Sequence, residues 1–294
     1  MNRGSGGPCL LRLTALFTAR GAPPPLARLD SLRSLAVAAG ASSCLLTPVL
    51  ARTIRRITDS LVSVLLAPCC AACATPLAEP TRGPVCPACW DAVVPITPPV
   101  CDACGDPIPS WRIISVECGR CPRCRRRRSD VARARAIGTY DGALRAIVHA
   151  LKYDGRRSLA RPLAALLERH GRDVMDGADL VVPVPLHRSR TRARGFNQAA
   201  EIARHLPLPM SLALRRVRAT PSQTDLPAAK RHANVREAFA VTRRAGVRGR
   251  VVVLIDDVST TGATLDACAR ALVHDGGARE VRALTAARVV SRSR

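Results

Sequence analysis

Aromatic residues make up only 2% of this 294-residue chain: Phe17, Phe196, Phe239, Trp90, Trp111, Tyr140 and Tyr153 are all of them. Base-stacking grooves are built from aromatic side chains, so a dedicated single-strand-binding platform is poorly supported. Lysine is scarcer still, for among 46 basic residues only Lys152 and Lys230 are lysines. Neither lies in a G-x-x-x-x-G-K-[ST] loop, which excludes a Walker-type ATPase. Long apolar runs are also lacking. The uncharged stretch from Ser34 to Ala51 is interrupted by Gly40, Ser42, Ser43 and Pro48, and no stable membrane insertion is expected from it. Acidic residues number 22, so the formal net charge is +24. Such a surplus favours polyanions, and any nucleic-acid affinity would be electrostatic and salt-sensitive. A coding bias toward arginine explains the surplus equally well.

What is present is organised around Arg250-Val-Val-Val-Leu-Ile-Asp-Asp-Val-Ser-Thr-Thr-Gly-Ala-Thr-Leu265. Val251 to Ile255 is an unbroken β-branched and apolar run, suited to a strand buried on both faces of a parallel sheet. Asp256 and Asp257 fall where that strand should end. Val258, Ser259, Thr260, Thr261, Gly262, Ala263 and Thr264 follow as a tight loop, and Leu265, Cys268 and Leu272 then recur at helical spacing. Small residues let backbone N–H groups converge on a phosphate, and a helix start adds attraction for an anion. Two adjacent carboxylates suit the vicinal hydroxyls of a sugar. The pattern predicts a phosphoribose site.

Twelve of the thirteen cysteines precede residue 125. Eight form C-x-x-C pairs: Cys70/Cys73 with Cys86/Cys89, and Cys101/Cys104 with Cys118/Cys121. Two such knuckles supply four thiolates for tetrahedral zinc. Cys70-Ala-Ala-Cys-Ala-Thr-Pro-Leu77 echoes Cys101-Asp-Ala-Cys-Gly-Asp-Pro-Ile108, so two consecutive zinc ribbons are predicted. Cys69 competes with Cys70 for its place, and Cys124 forms another C-x-x-C with Cys121. A disulfide framework is the alternative. Thiolate-held structural metals suit a reducing compartment, and a cytoplasmic location is expected. Arg125 to Arg128 follow at once, either a solvated linker or a phosphate-contacting patch.

Residues 1–60 carry eight arginines and two acids, and read as a disordered or spurious extension. Residues 61–128 form the ribbon part and 129–294 an α/β domain. Within the latter, strands are predicted at Ala134 to Tyr140, Asp179 to Pro185 and Val281 to Val290, with helices from Leu144 and Leu159. Arg188, Arg190, Arg192 and Arg194 alternate, and would share one face if extended. Leu214 to Phe239 lacks periodicity and reads as a flexible insertion over the sheet edge.

Taken together the chain resembles the ComF family of competence-associated proteins from about Leu61 onward. The resemblance rests on the ribbons, Leu151-Lys-Tyr153, Val182-Pro-Val-Pro185, Arg194-Gly-Phe-Asn-Gln198, Arg231-His-Ala-Asn234 and Ile255 to Thr264. It implies a type I phosphoribosyltransferase-like parallel sheet with a flexible hood, preceded by a small double zinc-ribbon domain. The implied ligand is 5-phosphoribosyl 1-pyrophosphate (PRPP) with magnesium. Asp256 and Asp257 would hold the ribose hydroxyls, and the backbone of Ser259 to Thr264 the 5-phosphate. The loop at Val184 and Pro185 would face pyrophosphate, with Arg194, Asn197 and Gln198 in the hood. Two activities fit: a PRPP-dependent glycosyltransferase of unspecified acceptor, linked to DNA uptake, or a non-catalytic single-stranded-DNA adaptor that docks a competence helicase through its ribbons.

Overall fold

The computed structural model describes residues 43–108, 119–217, 238–243 and 245–290. The chain divides into two compact units, Met1–Thr53 and Ile54–Arg294. Of the first, only the opening turns of helix α1 (Ser43–Leu66) are described. No described helix is long and apolar enough to cross a membrane.

After the rest of α1, the second unit continues with two matching half-modules. In one, Cys70 N–H donates to Thr75 O at 2.8 Å, and Ala74 N–H to Cys70 O at 2.8 Å. In the other, Cys101 N–H donates to Asp106 O and Gly105 N–H to Cys101 O, both again at 2.8 Å. Each half closes on a short helix, α2 (Pro87–Asp91) or α3 (Pro122–Arg126), with proline at the first helical position directly after a cysteine. There the missing proline N–H leaves no intrahelical bond unmade.

The remainder is an α/β domain in the order β1 (Val131–Thr139), α4 (Gly142–Tyr153), α5 (Ala160–His170), α6 (Arg172–Met175), β2 (Leu180–Pro183), α7 (Arg188–Arg194) and α8 (Gln198–Ala203). There follow β3 (Leu214–Arg216), β4 (Phe239–Val241), β5 (Val251–Ser259), α9 (Ala263–Arg270), a π-helical turn at Ala271–Asp275 and β6 (Glu280–Arg288). The main sheet runs β1-β6-β5-β2, every pair parallel. Strand residues alternate between faces. Val253 and Ile255 of β5 therefore join the core under α4, α5 and α8, while Val252 and Leu254 join the core under α9. That double burial is why the strand is apolar without interruption. Helix α4 forms as its periodicity requires, burying Leu144, Ile147, Val148 and Leu151, and the Asp141 carboxylate accepts from Gly142 N–H at 2.7 Å to start it.

Two expectations change. Arg188 to Arg194 is helical, so the four arginines do not share a face. At helical spacing they separate into two i, i+4 pairs, Arg188/Arg192 and Arg190/Arg194. The span from Leu214 is not wholly irregular either: β3 and β4 pair antiparallel at its two ends. The Arg231 to Asn234 motif between them lies outside the described residues. The edge of β2 is instead covered by the chain at Pro209 to Ser211, where Val181 N–H donates to Pro209 O and Ser211 N–H to Val181 O.

The second ribbon docks on the sheet through main-chain and charged contacts. Ala134 N–H donates to Ala103 O at 2.7 Å. A Cβ on Gly105 would stand 2.6 Å from the Ala134 carbonyl oxygen, so only glycine permits this approach. Asp106 accepts from Arg123 at 3.0 Å and from Arg288 Nε, linking α3 to the end of β6. Asp266 of α9 is met from the ribbon side by Ser129 Oγ and by Arg127 at 3.5 Å.

Candidate functional site

The site forms because the sheet's neighbouring strands end at different heights. β2 pairs with β5 only as far as Pro183 opposite Ile255, whereas β6 stays paired through Ser259 opposite Arg288. Past Ile255 one edge of β5 is therefore released from β2. Val184 N–H makes the last tie, to Ile255 O at 2.9 Å, and places Val184 and Pro185 beside that edge. The strand runs four residues beyond the expected end, so Asp256, Asp257, Val258 and Ser259 all belong to it.

Strand alternation sends the two acids to opposite faces. Asp257 is buried on the α4 side, where Lys152 Nζ lies 3.0 Å from its Oδ1. Asp256 lies on the other side, within the field of Arg216 from β3. Burial, then the Asp257 charge, push Asp256 up to about 7; Lys152 and Arg216 pull the other way without prevailing. The backbone of Asp257 also donates to Asp256 Oδ1 at 2.9 Å. One acid thus lies against an ammonium, and the other is poised to lose or gain a proton near neutrality.

Thr260 and Thr261 lead to Gly262, which caps α9 with φ +78°. Its side-chain position is open space, so the glycine answers a conformational need, not a lack of room. Thr261 Oγ1 accepts from Ala263 N–H at 3.4 Å, and Ala263 and Thr264 begin the helix. The Ser259 hydroxyl is buried and has no partner among the described residues.

Arg194, Asn197 and Gln198 are built into the scaffold to different degrees. Asn197 caps α8 by accepting from Ala199 N–H at 3.0 Å, and its Nδ2 donates to Val184 O at 3.0 Å. One side chain thereby fixes the loop after β2 to the start of α8. Gln198 is 1% exposed; its Oε1 accepts from Arg194 at 3.3 Å, while its Nε2 is buried without a partner among the described residues. The Arg194 guanidinium also lies 5.1 Å from the Tyr153 ring centre, a cation–π contact.

Lys152 is the residue that reasoning from motifs left without a role. It sits in Leu151-Lys-Tyr153 and is one of two lysines in the chain, but its contact with Asp257 spans 105 positions. No local pattern reveals such a pair.

The cysteines gather into two groups, Cys70, Cys73, Cys86 and Cys89, and Cys101, Cys104, Cys121 and Cys124, with all sulfurs in each within 4.8 Å of one another. Zinc bound at about 2.3 Å places tetrahedral sulfurs about 3.8 Å apart. The observed separations are 3.9 Å for Cys70–Cys89, 3.8 Å for Cys73–Cys86 and 3.7 Å for Cys104–Cys121. Backbone N–H groups of Cys86 and Cys121 point at the sulfurs of Cys70 and Cys101, both at 3.3 Å, as suits thiolates. The residues present fit zinc. Cys118, paired by spacing with Cys121, lies outside the described residues; the fourth thiol found among those described is Cys124. A signal for it was available. Cys86-Pro-Ala-Cys89 repeats as Cys121-Pro-Arg-Cys124, each opening a helix.

Fold and site together define a double zinc ribbon joined to a phosphoribosyltransferase-type domain. Residues 61–125 match the double zinc ribbon domain family, and residues 191–293 the phosphoribosyl transferase domain family. DNA utilization protein YhgH of Salmonella typhi is 32% identical over 222 residues, spanning 71% of this chain and 92% of that protein. Competence protein ComFC of Bacillus subtilis is 28% identical over 205 residues, or 68% and 82% of the two chains. Competence protein F of Haemophilus influenzae is 31% identical over 163 residues, 52% and 71% of each. The chain belongs to this ComF family. Among solved structures, the allosteric regulatory enzyme of purine biosynthesis aligns over 44% of this chain and 25% of its own, at 25% identity and a TM-score of 0.30.

Proposed function

We propose that the chain binds PRPP with magnesium at the released end of β5 and serves DNA uptake or utilization as a phosphoribosyltransferase. One observation carries this reading: an acid pair lies beyond the end of β2, directly before a glycine-capped helix start. The ribose hydroxyls would be held by Asp256 and Asp257, with Lys152 fixing the second acid. The 5-phosphate would lie against the backbone from Ser259 to Thr264. Val184 and Pro185 would face the pyrophosphate, with Arg194 beside it. Magnesium, when bound, would neutralise charge developing on the departing pyrophosphate. An acceptor then attacks the anomeric carbon as the bond to pyrophosphate breaks. Thiolate-rich sites that suit zinc support a reducing, cytoplasmic setting for this work.

A second reading keeps the ligand without turnover: an adaptor that binds single-stranded DNA and docks a competence helicase through its ribbons. The exposed Arg125, Arg126 and Arg128, which adjoin the contact between the second ribbon and α9, favour it. PRPP with magnesium should raise the melting temperature of the wild type and not of the Asp256→Asn, Asp257→Asn double variant. No shift in the wild type would overturn the ligand assignment. Pyrophosphate release, screened with nucleobases and with DNA, decides between turnover and adaptor.

A further inference from the structure

The end of α4 grips the segment that joins α7 to α8. The Arg194 guanidinium carbon lies 5.1 Å from the Tyr153 ring centre. Arg157, four residues beyond Tyr153, donates from Nη2 to Gly195 O at 3.1 Å. The same guanidinium lies 4.6 Å from the centre of the Phe196 ring. These contacts start from a fixed base. Leu151 is fully buried, and the N–H groups of Asp154 and Arg156 both donate back to Ala150 O. Between Leu151 and Tyr153 stands Lys152, the partner of Asp257. Successive helical residues point about 100° apart. One turn of α4 therefore serves two parts of the site, through Lys152 at the buried acid and through Tyr153 at Arg194.

Packing does not account for Tyr153. The buried face of α4 is carried by Leu144, Ile147, Val148, Ala150 and Leu151. Tyr153, one of only two tyrosines in the chain, lies off that face and is 60% exposed. Its ring meets the exposed His149 at 4.6 Å on one helix turn, and Arg194 from across the site. Helix α7, by contrast, needs support. It has seven residues and stops at Gly195, with φ +75°. A helix that short is not stable by itself.

We propose that Tyr153 is a positioning residue, holding the Arg194 guanidinium ready for the pyrophosphate of the donor while Arg157 secures the backbone beside it. Its role there rests on the reading of this site as the PRPP site. A free arginine samples many rotamers, and a ligand that captures it must offset the lost freedom. Held between the Tyr153 ring and Gln198 Oε1, Arg194 has given up part of that freedom beforehand. The attraction is to the π face, so the ring is required and the hydroxyl is not.

Calorimetric titration of the zinc-loaded full chain tests this, with magnesium and PRPP, pyrophosphate or ribose 5-phosphate as probes. Tyr153→Leu should weaken PRPP and pyrophosphate about two- to fivefold, the strength of one exposed cation–π contact. Ribose 5-phosphate should bind it unchanged, and Tyr153→Phe should match the wild type with all three. Hydrogen exchange without ligand gives a separate readout. Amides at the end of α7 should exchange faster in Tyr153→Leu by a similar factor, and not in Tyr153→Phe. If the wild type binds none of the probes, the PRPP reading fails and exchange alone decides whether Tyr153 holds α7. Unchanged exchange in Tyr153→Leu overturns the positioning role, whatever the affinities. So does equal weakening of all three probes, the mark of a general defect, or a phenylalanine variant that behaves like the leucine one.

Discussion

Lys152→Met removes the cation from a pair whose side chains are only 14% and 12% exposed and whose charges stand 3.0 Å apart. At the effective dielectric that suits such sites, about 20, the attraction is about 5 kcal/mol. Desolvation of both partners offsets much of it in the wild type. Deleting one partner leaves the Asp257 carboxylate buried without compensation, a loss of about 3 kcal/mol. For a folded unit of this size each kcal/mol lowers the melting temperature by roughly 2–4 °C, so the variant should melt about 6–12 °C lower. Asp257→Asn alone strands the ammonium and should also destabilise. The double variant strands neither charge, and should recover more than half of the summed loss. Denaturant titrations of the four proteins, at a pH above the Asp256 transition, close the cycle. If the two single losses simply add, Lys152 and Asp257 do not interact, and the account of the charged acid fails.

Asp256 supplies a pH test. Its folded value, about 7, lies above its ordinary 3.8, so the folded state holds the proton more tightly. The associated stability is complete below the ordinary value and is lost as pH rises through about 7. Magnesium-dependent PRPP affinity should move oppositely, rising through the same interval as the carboxylate ionises, and Asp256→Asn should flatten both curves in calorimetric titration. Metal counting settles the second ribbon: mass spectrometry should find two zinc ions per chain, reduced toward one in Cys124→Ser and unchanged in Cys118→Ser. Asn197→Ala deletes a helix cap and the tie to Val184, and should lower stability by about 1–2 kcal/mol in urea unfolding. An unchanged midpoint would show that the loop after β2 is held by something else.

Much of this fold was legible because burial leaves a periodic trace. β5 announces itself by having no polar face, and α4 by apolar residues at i, i+3, i+4 and i+7; both follow from what each element packs against. The acid pair and Gly262 were legible as an order of residue types along one strand-loop-helix unit. Other features have no local trace. Lys152 meets Asp257 only once α4 crosses the sheet. Alternation of Arg188 to Arg194 suits a strand or a helix equally, and only the His187 cap and the left-handed Gly195 at its end show that the chain coils there. Cys118 and Cys124 have equal spacing to Cys121, and of the two only Cys124 falls among the described residues, where it joins Cys101, Cys104 and Cys121.

Asp106 has a position with wider meaning. It belongs to the knuckle of Cys101 and Cys104, yet its carboxylate is grasped by an arginine from the helix after Cys121 and by Arg288, which ends the strand paired to Ser259. Asp266, on the helix that follows Gly262, is grasped from the same module. Chelation or thiol oxidation at the second ribbon would therefore slacken two tethers at once, both attached to the cradle proposed for the sugar phosphate. If that cradle holds a ligand as proposed, the state of four distant sulfurs would bear on how firmly it is gripped.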